Sequence, residues 1–215
     1  GNYPDGPATP DADATLFEPV ELESIALGRS TDYIAGLMRT GSIQSHQVSV
    51  SGGNQKTSFF VSGNYFRDVG VLKNQDFTRG TFRINLDHQI NDKLRIGTST
   101  LVTYSKRNGE NFNPLGGALQ ENPLGKPFED DGTLIFLPTS DGLRTNPFAE
   151  IVPGAQIDET FRTRIFSSIY LNWEITKGLT YRFNFGPDYT VRRSGRFTGS
   201  QTNARRGGDA TASVS

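Results

Sequence analysis

The residues best suited to acid–base chemistry are three consecutive carboxylates, Glu129, Asp130 and Asp131. A pair of carboxylic acids can hydrolyse a glycosidic bond when one is protonated and the other is ionised. These three stand in the sequence Phe-Glu-Asp-Asp-Gly-Thr, and Asp and Gly are residues that turns prefer. The run therefore predicts an exposed acidic turn, and the sequence indicates no catalytic residue.

Residues that could bind a metal ion are equally sparse. His46 and His88 are the only histidines, and each shares the alternation of apolar residues, which predicts a place near the rim of an apolar strand face. Asp11 and Asp13 lack the spacing and the distal Glu of a calcium loop. The chain has no phosphate-binding glycine loop, no nucleophile elbow and no zinc-protease histidine pair. We therefore expect no metal, no cofactor and no enzymatic activity.

A recurring set of polar residues, mostly arginines, occupies alternate positions of the predicted strands. These residues are Arg79, Arg83, Asn85, Asp87, Arg95, Arg162, Arg164 and Arg182. Side chains two residues apart in a strand project from the same face, so the set predicts one polar face. Its members could pair with one another and with another part of the protein, or they could guide a hydrophilic substrate.

Four phenylalanines stand in a long stretch, residues 107–159, that has no steady hydrophobic period. They are Phe112, Phe128, Phe136 and Phe148. A connection of this length without regular structure is uncommon unless it is functional or disordered. The phenylalanines could stack on sugars or contact a surface lipoprotein, or they could form the small core of the loop itself.

The strands that position the polar set alternate apolar and polar residues. Phe82, Ile84 and Leu86 alternate with Arg83 and Asn85, which is the period of a strand with one apolar face.

The chain has 215 residues and a net charge of −1, so nothing in its charge favours a nucleic-acid partner. It has no cysteine, which excludes disulfides and thiolate metal sites. No apolar run is long enough for a transmembrane helix, but transmembrane strands give only a weak hydropathy signal.

Two regularities favour a membrane barrel over a soluble sandwich. The predicted connections alternate short and long, as the periplasmic turns and extracellular loops of outer-membrane barrels do. Aromatic residues also gather toward strand ends, as in the girdles at the two membrane interfaces. These aromatic residues are Phe59, Tyr65, Phe77, Tyr104, Phe161, Trp173 and Tyr189. The predicted fold class is all-β, an antiparallel transmembrane β-barrel of which this chain holds about six strands, with the polar set facing the lumen.

The predicted organisation has five segments. They are an extracellular-type loop with a short helix in residues 1–42, four barrel strands in 43–106, a long extracellular loop in 107–159, two barrel strands in 160–192, and the start of the next loop in 193–215. The short helix is expected within residues 31–39, capped by Thr31 or Asp32. No initiating Met and no signal segment precede the strands, so we expect an internal segment of a longer protein.

The motifs of the first strands resemble a known family. Residues 49–53 are Ser-Val-Ser-Gly-Gly, residues 62–65 are Ser-Gly-Asn-Tyr, and Arg79, Arg83 and Asn85 follow. This order is similar to that of the SusC/RagA-type TonB-linked outer-membrane transporters, over about residues 31–108. Tyr33 stands where the family usually has Trp, so an aromatic residue is kept.

The resemblance implies a large barrel, closed by an N-terminal plug, in the outer membrane of a Gram-negative bacterium. Neither the plug nor the energy-coupling segment is visible in this sequence, so we expect the early barrel region of such a protein. The family relationship implies import of a glycan oligomer, or next a peptide. The implied partners are a SusD-like surface lipoprotein, the TonB complex and outer-membrane lipid, with no nucleic acid. The alternatives are an iron-chelate or cobalamin receptor of the same superfamily and a soluble β-rich binding or adhesion module.

Overall fold

One sheet of eight strands dominates the structure, a computed structural model that describes residues 16–215. The predicted N-terminal loop with Asp11 and Asp13 lies outside the described residues. Each of the first five strands pairs antiparallel with the next strand along the chain. The predicted all-β, antiparallel fold class is confirmed, and the sheet is open rather than closed.

The strands are long, as the sequence periods predict. They are β1 (Ser42–Gly53), β2 (Thr57–Val69), β3 (Asp76–Asn91), β4 (Leu94–Asn108), β5 (Gln156–Thr176), β6 (Leu179–Phe185), β7 (Asp188–Thr198) and β8 (Thr211–Val214). The order in the sheet is β1-β2-β3-β4-β5-β7-β8, and β6 also pairs with β5. Both β6 and β7 therefore lie along β5, one after the other.

The last part of the sheet differs from the sequence prediction. One strand was expected after residue 178, but Gly186 and Pro187 divide it into β6 and β7. Proline has no N–H for a ladder, although its carbonyl still accepts a hydrogen bond from the Ser167 N–H at 2.9 Å. Residues 193–215 are not only loop, because β7 continues to Thr198 and β8 follows. Two backbone hydrogen bonds join Ser194 of β7 to Ser215, next to β8. The sequence indicated neither β8 nor the extension of β7, because their pairing is long-range and local composition does not reveal it.

The chain forms two compact units. The sheet unit consists of residues 40–110, 158–195 and 214–215, and the described part of the loop unit consists of residues 16–39, 111–157 and 196–213. The loop unit contains helices α1 (Pro19–Ala26), α2 (Tyr33–Leu37) and α3 (Leu115–Gln120) and a 3₁₀ helix (Pro147–Ile151). Asp32 caps α2 by accepting a hydrogen bond from the Ala35 N–H, as predicted. Within residues 16–215, no helix has the length and apolar character needed to cross a membrane.

A buried asparagine holds the loop unit together. Asn146 is fully buried, and its amide donates to the carbonyl oxygens of Pro127 and Ile135, each at 2.8 Å. Its side-chain oxygen accepts a hydrogen bond from the Phe148 N–H at 3.0 Å, which starts the 3₁₀ helix. One side chain thus connects two segments that would otherwise bury unpaired backbone groups.

We predict that Asn146→Ala destabilises the loop unit by about 3 kcal/mol, because three buried backbone groups lose their partner. The measurement is hydrogen exchange of the backbone amides of residues 127–149 in the full-length protein. The control is Asn113→Ala, which removes one exposed hydrogen bond, from the Leu115 N–H at 3.2 Å. Equal protection in the two variants would contradict the role of Asn146.

Candidate functional site

The polar set predicted from the sequence lies on one face of the sheet unit. The register places Arg79 of β3 opposite Ser105 of β4, and Ser105 opposite Arg162 of β5. In the same way Asn85 lies opposite Ser99, and Arg182 opposite Asn172. Residues directly opposite in neighbouring strands share a face, and alternation then places the other members of the set on it. We call this surface the polar face.

Asp87 is the centre of a hydrogen-bonded network on the polar face. Its carboxylate pairs with the Arg95 guanidinium at 2.6 Å and accepts a hydrogen bond from the Tyr170 hydroxyl. Tyr170 lies across Gly97, where a Cβ would stand 2.3 Å from the ring. Gly97 therefore provides the space that brings the Tyr170 hydroxyl to Asp87.

Other members of the set also pair within the sheet. Arg164 forms two hydrogen bonds with Asp188, at 2.9 and 2.5 Å. Arg182 donates to the Asn172 side chain at 3.0 Å, and Asn85 accepts from Ser99 at 2.8 Å. Of the two alternatives left open by the sequence, mutual pairing describes these residues.

Three arginines of the set pair with no polar side chain within the described residues. Arg83 and Arg162 make neither an ion pair nor a side-chain hydrogen bond there, and Arg79 places its guanidinium 5.3 Å from the centre of the Phe66 ring. All three side chains are exposed. Their full charge is therefore available to a partner from outside residues 16–215.

The opposite face of the sheet is apolar. It carries Val48, Phe59, Tyr65, Tyr104 and Trp173, and Val48 is 73% exposed. One aromatic residue of the predicted girdles is misplaced: Phe77 lies on the polar face, because it stands opposite Asp68 and packs against Phe66 with ring centres 6.0 Å apart. Phe77 stands two residues before Arg79 in a regular ladder, so strand alternation puts the two side chains on the same face.

The four loop phenylalanines divide into two pairs. Phe112 and Phe148 are buried in the loop unit, and Phe148 contacts the rings of Tyr33 and Phe128. Phe128 is 42% exposed and Phe136 is half-buried. For Phe112 and Phe148 the structure therefore shows a small core, whereas Phe128 still presents an aromatic edge to solvent.

The residues considered as acid, base or metal ligand form ion pairs and hydrogen bonds within the fold or lie exposed. Lys126 pairs with Glu129 at 3.4 Å and Asp130 at 3.1 Å, while Asp131 accepts a hydrogen bond from the Thr133 N–H in the same turn. The His88 ring shares a hydrogen bond of 2.7 Å with the Thr57 hydroxyl, and His46 is exposed on β1. In the part of the chain that the structure describes, no three His, Cys, Asp or Glu side chains are placed to hold a metal ion.

Sequence reasoning missed a buried polar pair in the loop unit. Glu121 is 7% exposed and Tyr33 is 3% exposed. Within the described residues neither Glu121 carboxylate oxygen nor the Tyr33 hydroxyl has a hydrogen-bond partner. Burial raises the pKa of Glu121, and the charges of Arg144 and Asp141 act in opposite directions on it. Burial also raises the pKa of Tyr33, and the Glu121 charge adds to that effect. Both residues lie in or beside short helices with no strong sequence period, so no pattern indicated them.

Comparison with known proteins gives relatives of one kind. Three proteins of Formosa agariphila are similar to this chain: TonB-dependent receptor P26 is 28% identical over 80% of the chain, P3 is 27% identical over 85%, and P39 is 26% identical over 72%. The chain spans less than a fifth of their length, at 17%, 19% and 14% respectively. No family model matches the sequence.

Solved structures show the same fold. A chain of the RagAB peptide transporter aligns with 82% of this chain and 20% of its own length, at 23% identity and a TM-score of 0.63. The RagAB peptide importer in its open-open state gives a TM-score of 0.62 at 24% identity, over 79% of this chain and 20% of its own. The predicted resemblance to SusC/RagA-like TonB-dependent receptors and the predicted partial barrel fold are confirmed.

We predict that Gly97→Ala lowers the melting temperature of the detergent-solubilised full-length protein, because the new methyl group collides with the Tyr170 ring. Overpacking of this kind costs about 1–3 kcal/mol. Gly63→Ala is the matched control in β2, since nothing lies within 4 Å of a Cβ at Gly63. If both variants melt at the wild-type temperature, the ring does not occupy the space over Gly97.

We predict that the loop unit loses stability as the pH rises through the folded-state pKa of Glu121. When folding raises the pKa of a carboxyl group, the protonated group favours the folded state at pH values below the ordinary pKa of 4.5. This contribution to stability is lost as the pH rises and the buried group ionises. The measurement is hydrogen exchange of α2 and α3 between pH 4 and neutrality, corrected for intrinsic exchange. Glu121→Gln should abolish the pH dependence, and an unchanged slope in that variant would assign the effect to another group, Glu150 first.

Proposed function

We propose that this chain is a barrel segment of a TonB-dependent importer that carries a large hydrophilic nutrient across the bacterial outer membrane. The activity is that of a longer protein, since the relatives are more than five times the length of the aligned region. The process is vectorial transport in which no bond of the nutrient is made or broken.

The observation that carries this proposal is the pair of contrasting faces on one sheet. Apolar side chains such as Val48, Tyr104 and Phe185 are about half or more exposed. A soluble protein rarely exposes so continuous an apolar surface, whereas the acyl chains of a bilayer would cover it. The polar face then lines the lumen of the barrel.

The connections support an orientation in the membrane. Residues 54–56, 92–93 and 177–178 are short turns at one end of the strands, and residues 70–75, 109–155 and 199–210 are longer connections at the other end. Outer-membrane barrels have short periplasmic turns and longer extracellular loops. We therefore assign the longer connections to the extracellular side.

The proposed partners follow from this orientation. A SusD-like surface lipoprotein would contact the extracellular side and pass the nutrient into the barrel, and the exposed ring of Phe128 is a candidate contact for it or for the nutrient. The TonB complex would act through the plug of the longer protein. A glycan oligomer is the first candidate cargo and a peptide is the second, and the name of the RagAB peptide transporter supports the latter.

The test is deletion of the gene for the full-length protein in its native bacterium, followed by complementation. We predict that deletion abolishes uptake of one fluorescent glycan or peptide library, that complementation restores it, and that a tonB-deficient background abolishes it again. The protein should also co-purify with a surface lipoprotein. Loss of ferric-chelate or cobalamin uptake instead would favour the other receptors of the superfamily, and unchanged uptake of all these compounds would contradict import.

A further inference from the structure

We propose that Arg79 and Arg162, with Ser105 between them, form a binding subsite for an anionic group on the imported nutrient. The proposal rests on the import function above and adds to it that the cargo carries carboxylate, sulfate or phosphate groups. We call these three residues the anion subsite.

The three residues of the anion subsite form one row across the sheet. Arg79 of β3 stands opposite Ser105 of β4, which stands opposite Arg162 of β5. Adjacent strands are about 4.8 Å apart, so the two arginine Cα atoms are separated by about 10 Å. Both guanidinium groups project from the polar face, and the Ser105 hydroxyl between them can donate a hydrogen bond. An oxyanion above Ser105 can therefore be reached from two sides.

The neighbouring carboxylates do not neutralise the anion subsite. Asp188 pairs with Arg164, and Asp87 pairs with Arg95. Glu110 lies between Arg107 and Arg192, at 3.4 and 3.0 Å.

A further carboxylate in this part of the polar face is that of Asp68 on β2. It makes no ion pair with any arginine of the described chain. Two like charges in one row repel each other, so an anion that binds both Arg79 and Arg162 removes this repulsion.

The Arg79 guanidinium is held in a defined place. It lies 5.3 Å from the centre of the Phe66 ring, and Phe66 packs against Phe77. A guanidinium over a ring still has N–H donors that the ring does not use. Those donors match the two oxygens of a carboxylate or of a sulfate or phosphate group. Because the residue stands on a paired strand, the backbone that carries the guanidinium is already fixed before binding.

The position of the row agrees with a role in transit. Arg79 is the fourth residue of β3, which begins at Asp76 after the connection 70–75. In the orientation proposed above, the row lies near the extracellular mouth of the lumen, where a nutrient first enters. Binding of a carboxylate cargo should weaken where the cargo itself becomes protonated.

The experiment compares matched probes on the purified full-length receptor. One pair is hexaglutamate and hexaglutamine, and a second pair is oligogalacturonate and its methyl ester, so each cargo class has an anionic and a neutral member. The test variant is Arg79→Gln/Arg162→Gln. The control is Arg182→Gln on the same face, which removes a charge outside the row. Heat-modifiable migration in gels shows whether each variant retains a folded barrel.

We expect the double variant to bind the anionic member of one pair at least about tenfold more weakly and the neutral member as the wild type does, because two charge-assisted contacts are lost. Raising the salt concentration should reduce that difference. An equal loss for both members would mean that the arginines hold another part of the receptor, such as the plug, and would overturn the proposal. No preference of the wild type for the anionic member would also overturn it while leaving import intact. Failure of the wild type to bind any probe, together with unchanged nutrient uptake on gene deletion, would instead reject the import function.

Discussion

The rest of this structure depends on the backbone hydrogen-bond ladder that runs from β1 to β5. A strand surrounded by lipid has no water to satisfy its N–H and C=O groups, so each group needs a partner in the next strand. The ladder is continuous over the lengths of β2, β3 and β4, and its one displacement between β3 and β4 falls beside a turn, between Gln89 and Asn91. Where proline interrupts the sixth strand, the carbonyl of Pro187 still meets β5. The pairing fixes the register, and the register fixes which side chains share a face.

The two faces of the sheet place different requirements on their side chains. On the apolar face, side chains need only be apolar and of tolerable size, which explains why valine, isoleucine and aromatic residues are interchangeable there in the sequence pattern. On the polar face, each charged side chain needs a partner or water. The Tyr170 hydroxyl reaches Asp87 only because Gly97 has no side chain beneath the ring. A small residue on one strand thus determines the position of a large one on the next.

The sequence predicted the strands well because a period of two is a local signal. The first strand begins one residue before the predicted range 43–106 and β4 ends two residues after it, and α2 begins at the cap that Asp32 provides. Features that depend on distant pairing were missed, namely the strand β8, the extension of β7 and the face on which Phe77 lies. Parity alone was enough to predict that the residues of the polar set share one face. Parity could not predict which arginines pair with a carboxylate. Asp188, for example, is 24 residues from Arg164 in the sequence, and only the folded hairpin brings the two side chains together.

The unpaired arginines differ physically from the buried orphan groups of the loop unit. Arg83 and Arg162 are exposed, so water can solvate them and their lack of a partner costs little. Glu121 and Tyr33 are shielded from water, so their unpaired oxygens carry most of the desolvation penalty that burial imposes. The first situation leaves charge free to act on another molecule, whereas the second makes the protonation state of a carboxyl group part of the folding free energy. Arg79 and Arg162 can therefore discriminate between charged and neutral ligands without a change of fold. Glu121 can respond to pH only by changing the stability of the helices around it.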